Sequence, residues 1–494
     1  MLDLKTINNL DTQSVGYFRF KQFGEDYLLT NETGEYVFIP ENNFKQFLTG
    51  NLDTKSEIFK ELLNKSFLKD QNYLINSVLK YRERYHFLQF GPSLHIVVVT
   101  LRCNHKCIYC HASAGGSEDK SLDMDLATAK KVVDTIFQTT NDAICIEFQG
   151  GEPLLNWPVV KFIIQYAKEK NKLEKKNLVF RLVSNFSLMD EEKMEFMMEN
   201  EIYFCTSLDG DEETHNYNRI FTEGNSWQNV VKWIKKLNAE YKERNKGKKK
   251  NYYKVGALIT VTKKTLTNYK EAIDTYLNLG FRSIYLRYLY PYGFARQAKE
   301  KIWYTANEYI DFYKKVFDYI LEKNYQGKLF YENMAATYLR KILLQEEPHN
   351  LDMRSPCGAV IGQLSYNYNG DVYTCDDSRS LSRIGDETFK LGNIKVNSFS
   401  ELLNNNLCKS MCMASCTNGL PGHDESVYQP YWGACVVYNY CLYNNIFPAM
   451  KENFKWQIDE QILDYIFKKL KNKKNEDIFR EWCKSSRPRS QERS

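Results

Sequence analysis

Leu101-Arg-Cys-Asn-His-Lys-Cys-Ile-Tyr-Cys-His111 places three cysteines, Cys103, Cys107 and Cys110, in one short loop. The spacing is Cys-x3-Cys-x2-Cys, with Tyr109 just before the last thiol. Three thiolates from one loop can hold three irons of a cubane [4Fe–4S] cluster and leave the fourth iron free to bind something else. Zinc normally takes four ligands from two separated pairs. A disulfide framework belongs to small secreted chains, and structural cysteines seldom crowd so closely.

The sequence around the loop predicts an α/β fold. Leu94–Thr100, directly before it, is β-branched and nearly continuously apolar, the pattern of a strand buried on both faces. Asp125–Phe137, after it, carries apolar residues on one helical face. Further strands are expected at Ala143–Phe148, Leu178–Ser184, Ile202–Ser207, Val255–Thr262 and Ser283–Tyr288. Helices are expected near Pro158–Lys168, Asp190–Met198, Trp227–Leu237 and Asn268–Leu279. This alternation predicts parallel βα units, whose active sites gather at the strands' C-terminal ends. Cys103 falls at such an end. After the second strand comes Gln149-Gly-Gly-Glu-Pro153, where glycines allow close backbone approach to a ligand. The third strand ends in Ser184-Asn185, and the fourth in Ser207-Leu-Asp-Gly210, followed by Arg219.

These residues, in this order, resemble the radical S-adenosylmethionine (SAM) superfamily. The resemblance implies a partial (β/α)6, TIM-like barrel. It also implies a cluster whose open iron chelates SAM and cleaves it reductively to a 5′-deoxyadenosyl radical, which abstracts hydrogen from a substrate. Cys103, Cys107 and Cys110 would be the cluster ligands. Tyr109, Gly150, Gly151, Glu152, Pro153, Ser184, Asn185, Ser207, Asp209 and Arg219 would form the SAM pocket. Glu152 would take the methionine amino group, Ser207 and Asp209 would approach the ribose, and Arg219 would pair with the SAM carboxylate, for which a guanidinium fork suits better than an ammonium. Taken singly, Asp209-Gly210 also reads as a turn and Arg219 as a solvated side chain. Tyr285, Arg287 and Tyr288, at the end of the sixth strand, are candidates to line a substrate channel.

The C-terminal third holds Cys357, Cys375, Cys408, Cys412, Cys416, Cys435 and Cys441. Leu364–Cys375 reads as a hairpin turning at Asn369-Gly370. Its Gly370-x4-Cys375 spacing resembles the SPASM domain, which holds one or two auxiliary iron–sulfur clusters; zinc is the alternative. The resemblance implies ligands among Cys357, Cys375, Cys412, Cys416, Cys435 and Cys441. Trp432 and Trp456 stand where cysteines are expected, and indole cannot ligate iron. One auxiliary cluster around Cys357, Cys375 and Cys435 is therefore expected; a second needs Cys408 or Cys441 as a substitute ligand. Asp376, following Cys375, matches an Asp that acts as a base in related sulfatase maturases; a hairpin-end cap is the plain reading. Cys145 and Cys205 are expected in the core, and Cys483 in a polar tail.

The expected organisation is a small α+β unit (1–68), a helical linker (69–92), the barrel (93–345), the SPASM-like region (346–450), and a closing helix with a polar tail (451–494). In the first unit, strands near Tyr17–Lys21, Tyr27–Thr30 and Tyr36–Ile39, with helices at Asn43–Leu48 and Ser56–Asn64, resemble winged-helix elements that bind a precursor's leader peptide by strand addition. A cap over the barrel is the alternative. Across nearly the whole chain, the order of parts resembles the radical SAM/SPASM maturases of His-Xaa-Ser peptide systems. That likeness implies modification of a ribosomally made precursor peptide, a flavodoxin- or ferredoxin-type reductant and a second radical SAM maturase as partner. A sulfatase-maturase-like enzyme and a non-catalytic leader-binding partner are the competing readings.

Composition agrees. The chain has 494 residues, 43% hydrophobic and 26% charged, with thirteen cysteines and a net charge of +5. Thirteen cysteines without an export signal or membrane-length run lead to the expectation of a reducing cytoplasm and metal ligation. The mild charge points to neither nucleic acid nor membrane. The basic stretch Lys242–Lys254 reads as a solvated loop, or as a clamp for an acidic leader.

Overall fold

In the computed structural model, residues 10–247, 255–347, 351–448 and 450–487 are described. The core is a sheet in which Leu94–Thr100, Ala143–Gly150, Asn177–Val183, Tyr203–Ser207, Gly256–Thr260 and Leu286–Arg287 lie side by side in chain order, all parallel. Between them run the helices Leu126–Ile136, Trp157–Glu174, Glu191–Glu199, Ser226–Arg244 and Tyr269–Asn278. Three of these helices start at a side-chain cap. Asp125, Asp190 and Asn225 cap their helices by accepting backbone amides, satisfying donors the helix itself cannot. The strand Leu94–Thr100 buries Ile96, Val97, Val98 and Val99, as its unbroken apolar run requires.

The sheet does not stop at the boundary expected near residue 345. Gln363–Tyr366 pairs in parallel with Leu94–Thr100, Leu364 opposite His95 and Tyr366 opposite Val97. Asp371–Tyr373 and Lys390–Asn393 then extend it in antiparallel fashion. The C-terminal cysteine region is thus joined to the main sheet through the strand that feeds the Cys103 loop. The sixth expected strand is shorter than predicted, because Ser283–Ile284 pairs instead with Tyr331–Glu332.

The N-terminal unit is a separate antiparallel sheet, Arg19–Phe23, Asp26–Thr30 and Tyr36–Pro40, with helices Glu41–Leu48 and Glu57–Asn64 and its own core of Leu29, Ile39, Phe44, Phe47 and Leu62. It docks on the C-terminal region: Thr30 Oγ1 donates to the Val427 carbonyl at 2.7 Å, and Tyr431 Oη donates to that of Gly34 at 3.1 Å. Tyr36 and Phe38 meet Phe467 of the closing helix Phe454–Leu470 edge-on.

Two expectations need correction. Cys483 is not in a polar tail. It belongs to the helix Lys473–Ser485, where Phe479, Trp482 and Cys483 share a buried face, a spacing of three and four residues that a helix turns inward. Cys145 and Cys205 are half-buried rather than core, because their strand positions face the interior of the parallel sheet, which is open. Part of the basic stretch, residues 248–254, lies outside the described residues. Among the described residues, no helix is long and apolar enough to cross a membrane.

Candidate active site

One cavity of about 500 Å³ opens at the C-terminal ends of the parallel strands. Cys103, Cys107 and Cys110 line it, with Tyr109, Gly150, Gly151, Glu152, Ser184, Asn185, Ser207, Arg219 and Asp376. Residues widely separated in sequence are thus brought to one wall.

The cysteine loop is braced on every side. Arg102 grips Asp123 bidentately, Nε to Oδ1 at 2.8 Å and Nη2 to Oδ2 at 2.7 Å, a fork geometry that fixes orientation. Cys107 pairs with Arg219 in a short antiparallel ladder. The Cys110 amide donates to the Cys107 carbonyl at 3.1 Å, and the His105 amide points at Cys103 Sγ at 3.4 Å. His105 stacks on Phe221 at 4.5 Å. Burial pushes the Cys107 thiol up to about 12, and the Cys103 thiol also rises by burial. Such thiols ionise only beside a strong cation, which a metal supplies.

The two glycines are dictated by space. A Cβ on Gly150 would stand 2.2 Å from the Thr100 carbonyl oxygen, and one on Gly151 2.0 Å from that of Arg102. The turn therefore lies flat against the cysteine loop. Glu152 follows, 1% exposed, and its carboxylate accepts from Ser184 Oγ at 2.8 Å, the Asn185 amide at 2.8 Å and the Leu154 amide at 3.1 Å. Burial raises it to about 7 against those hydrogen bonds. Glu152 thereby ties the second strand's turn to the third strand's Ser184-Asn185 end.

Two candidates sit off the wall. Asp209 is fully buried behind it, accepting from Tyr109 Oη at 2.5 Å and from the Thr260 amide at 3.1 Å. Arg219 Nε donates to Tyr109 Oη at 2.7 Å and lies 3.4 Å from Asp209. Tyr109 thus links Asp209 and Arg219, leaving Ser207 and Arg219 to face the cavity. Pro153 begins the buried turn Pro153–Asn156 and also lies behind.

The far wall was partly hidden from the sequence. Asp376 comes from the C-terminal region and faces His111 of the cysteine loop, Oδ2 to Nε2 at 3.5 Å. Burial raises Asp376, but His111 and the guanidinium of Arg379, 3.3 Å away, outweigh it and hold the carboxyl well below the usual range. Arg287 lines the cavity as expected; Tyr288 borders a small side pocket with Tyr109 and His111. His111, Glu147, Arg181 and Arg379 also line the cavity and were not singled out. The available signal was polar alternation: Glu147 and Gln149, and Arg181 between Val179 and Val183, mark the interior face of strands that look apolar on average.

Below this wall the C-terminal cysteines divide into two groups. Cys357, Cys375 and Cys435 are buried and close enough that each thiol's charge bears on Cys435, together with that of Asp377. Cys375 and Cys435 each cap a helix, with Sγ accepting the Ser378 and Tyr438 amides at 3.4 Å. Burial raises all three thiols, and the helix-terminal amides offset part of that rise at Cys375 and Cys435. Asp377 also bears on Cys441. Cys408, Cys412 and Cys416 lie instead along and just past the helix Asn406–Ala414, the last two half-buried. Trp432 and Trp456 pack against His423 with ring centroids at 5.4 and 3.7 Å, and all three are buried. This aromatic group offers no thiol, so the two tryptophans do not fit a second cluster. The group of Cys357, Cys375 and Cys435, two of them helix caps, fits one auxiliary cluster. Among the described residues, no set of three or more His, Cys, Asp or Glu closes on a single metal ion; cluster ligands surround several atoms instead.

Residues 97–247 match the radical SAM superfamily and residues 357–423 match the SPASM iron–sulfur cluster-binding domain. The chain is 24% identical over 433 residues to the radical SAM cyclopropyl synthase TigE of Paramaledivibacter caminithermalis, covering 82% of this chain and 85% of the relative. It is 26% identical over 330 residues to a cysteine-type anaerobic sulfatase-maturating enzyme of Clostridium novyi, covering 65% and 82%. In fold it matches the structure of native anSMEcpe with bound AdoMet and Cp18Cys peptide, with a TM-score of 0.63 and 20% identity over 78% of this chain and 99% of that one. Streptococcus suis SuiB bound to precursor peptide SuiA matches with a TM-score of 0.51 and 14% identity over 86% and 95%. The chain thus carries a radical SAM domain and a SPASM domain over those stretches, and it is similar to anaerobic sulfatase-maturating enzymes and to peptide maturases. Its cofactors are a [4Fe–4S] cluster, SAM and auxiliary SPASM iron–sulfur.

Proposed function

We propose that this enzyme is a peptide maturase of the His-Xaa-Ser type, acting on a ribosomally made precursor in a cavity walled by both its parallel sheet, read as a partial (β/α)6 barrel, and its SPASM region. The observation that carries this reading is the facing of His111, from the cysteine loop, and Asp376, from the C-terminal region, across one cavity. Cys103, Cys107 and Cys110 would hold the cluster, and Cys357, Cys375 and Cys435 the auxiliary one. The cluster with SAM supplies one-electron cleavage and hydrogen abstraction; the rest of the task falls to the chain.

Gly150 and Gly151 let the backbone lie close to the ligand. Glu152 orients Ser184 and Asn185 and, when ionised, offers a carboxylate to an amino group. Arg219, held by Tyr109, presents its remaining guanidinium nitrogens to a carboxylate. Asp376 lines the cavity and would receive a proton from substrate only once its pairing with His111 and Arg379, which holds it ionised and weakly basic, loosens. The precursor's leader would add as a strand to the N-terminal sheet, which pairs with no other strand among the described residues. A flavodoxin- or ferredoxin-type reductant, a second radical SAM maturase and a cytoplasmic location complete the proposal.

Anaerobic reconstitution with iron, sulfide, dithionite and SAM tests it. Formation of 5′-deoxyadenosine that increases with a His-Xaa-Ser precursor is expected. Turnover of a sulfatase peptide instead would move the assignment to the sulfatase maturases.

A further inference from the structure

The segment after the sixth barrel strand touches both cysteine sites. At Gly293 it presses on the first. A Cβ there would stand 2.4 Å from the Cys110 carbonyl oxygen and 2.5 Å from that of His111, and φ is +53°. The Phe294 amide donates to the same Cys110 oxygen at 2.9 Å. One residue earlier, Tyr292 belongs to the second site. Its ring stacks on Tyr290 with centroids 5.6 Å apart, and Tyr290 meets Tyr438 at 5.8 Å. Tyr438 lies in the first turn of the helix capped by Cys435, and its amide donates to Cys435 Sγ.

The Tyr292 hydroxyl is buried and has no hydrogen-bond partner, and the same holds for Tyr438. The charges that bear most on the Tyr292 hydroxyl are those of Asp377, Cys435 and Cys441. A buried hydroxyl left unpaired is destabilising, so native folds rarely keep one without a partner. A phenol is a donor; Asp377, the nearest oxygen acceptor by its charge, makes no hydrogen bond to it, and the other acceptors beside it are the sulfurs of Cys435 and Cys441.

We propose that Tyr292 donates its hydroxyl to a sulfur of the iron–sulfur centre held by Cys357, Cys375 and Cys435, and so sets that centre's potential, while Gly293 and Phe294 fix its position against Cys110. Tyr292 is a positioning and tuning residue. Its proton stays on oxygen, and only an electron from the added reductant enters the centre. A hydrogen bond to sulfur favours the more negative, reduced form and raises the potential.

The test uses the full chain carrying Cys103, Cys107 and Cys110→Ala, in which the C-terminal centre stands alone. Iron is counted, and the midpoint potential is titrated by electron paramagnetic resonance. Tyr292→Phe is expected to keep the iron and shift the potential negative. Replacing Tyr292 by 3-fluorotyrosine keeps the ring, strengthens the donor and is expected to shift it positive. Unchanged potentials with iron retained overturn the proposal. Should the Phe variant lose iron, the fluorotyrosine arm decides alone. A background chain without iron rejects the iron–sulfur reading of these cysteines, and the proposal with it.

Discussion

The two cysteine sites are built in opposite ways. Cys103, Cys107 and Cys110 come from one loop, fixed by Arg102 on Asp123 and by a turn of glycines packed against its carbonyls. Cys357, Cys375 and Cys435 come from distant parts of the chain and meet only because a hairpin extends the parallel sheet and two helices start at their thiols. A local site survives wherever its loop is held. A dispersed site depends on the packing of a whole region.

The largest effect should separate the two sites. Cys103, Cys107 and Cys110→Ala is expected to abolish 5′-deoxyadenosine formation while iron remains, as colorimetric iron assay and product chromatography will show. In that background, Cys435→Ala should release the remaining iron and Cys416→Ala should retain it. Equal loss from both would erase the distinction between the two C-terminal groups.

Trp456→Ala should cost about 3–5 kcal/mol by emptying a buried indole's place, read from denaturant unfolding with the SAM-proximal centre intact. A small cost would mean the aromatic group is not a structural replacement. Gly151→Ala should cost about 1–3 kcal/mol, because its methyl meets the Arg102 backbone, and should weaken SAM binding measured by calorimetry.

The smallest effect is on pH. Glu152, raised to about 7 by burial, carries a proton below that pH and must lose it to receive an amino group. SAM affinity is therefore expected to fall as pH drops below about 7, by up to about tenfold per unit. Glu152→Gln should bind weakly and show no such slope; a parallel slope in the variant would assign the titration elsewhere.

Much of this was legible in the chain. The strand Leu94–Thr100 and the helices capped by Asp125, Asp190 and Asn225 follow from patterns of neighbouring residues, and the structure has them. The Gly150-Gly151-Glu152 turn does line the cavity with the cysteine loop. Asp209 reads the same in sequence whether it faces ligand or lies behind Tyr109; only the Thr260 amide from the next strand settles its side.

By itself the sequence determined the cysteine loop, the alternation that makes a parallel sheet and the glycine turn, since each depends on residues a few positions apart. Tertiary structure alone decided which C-terminal thiols lie near one another, that Glu147 and Arg181 face the cavity, and that Gly293 and Phe294 press on the Cys103 loop. Those choices depend on contacts between distant segments, whose partners no local pattern specifies.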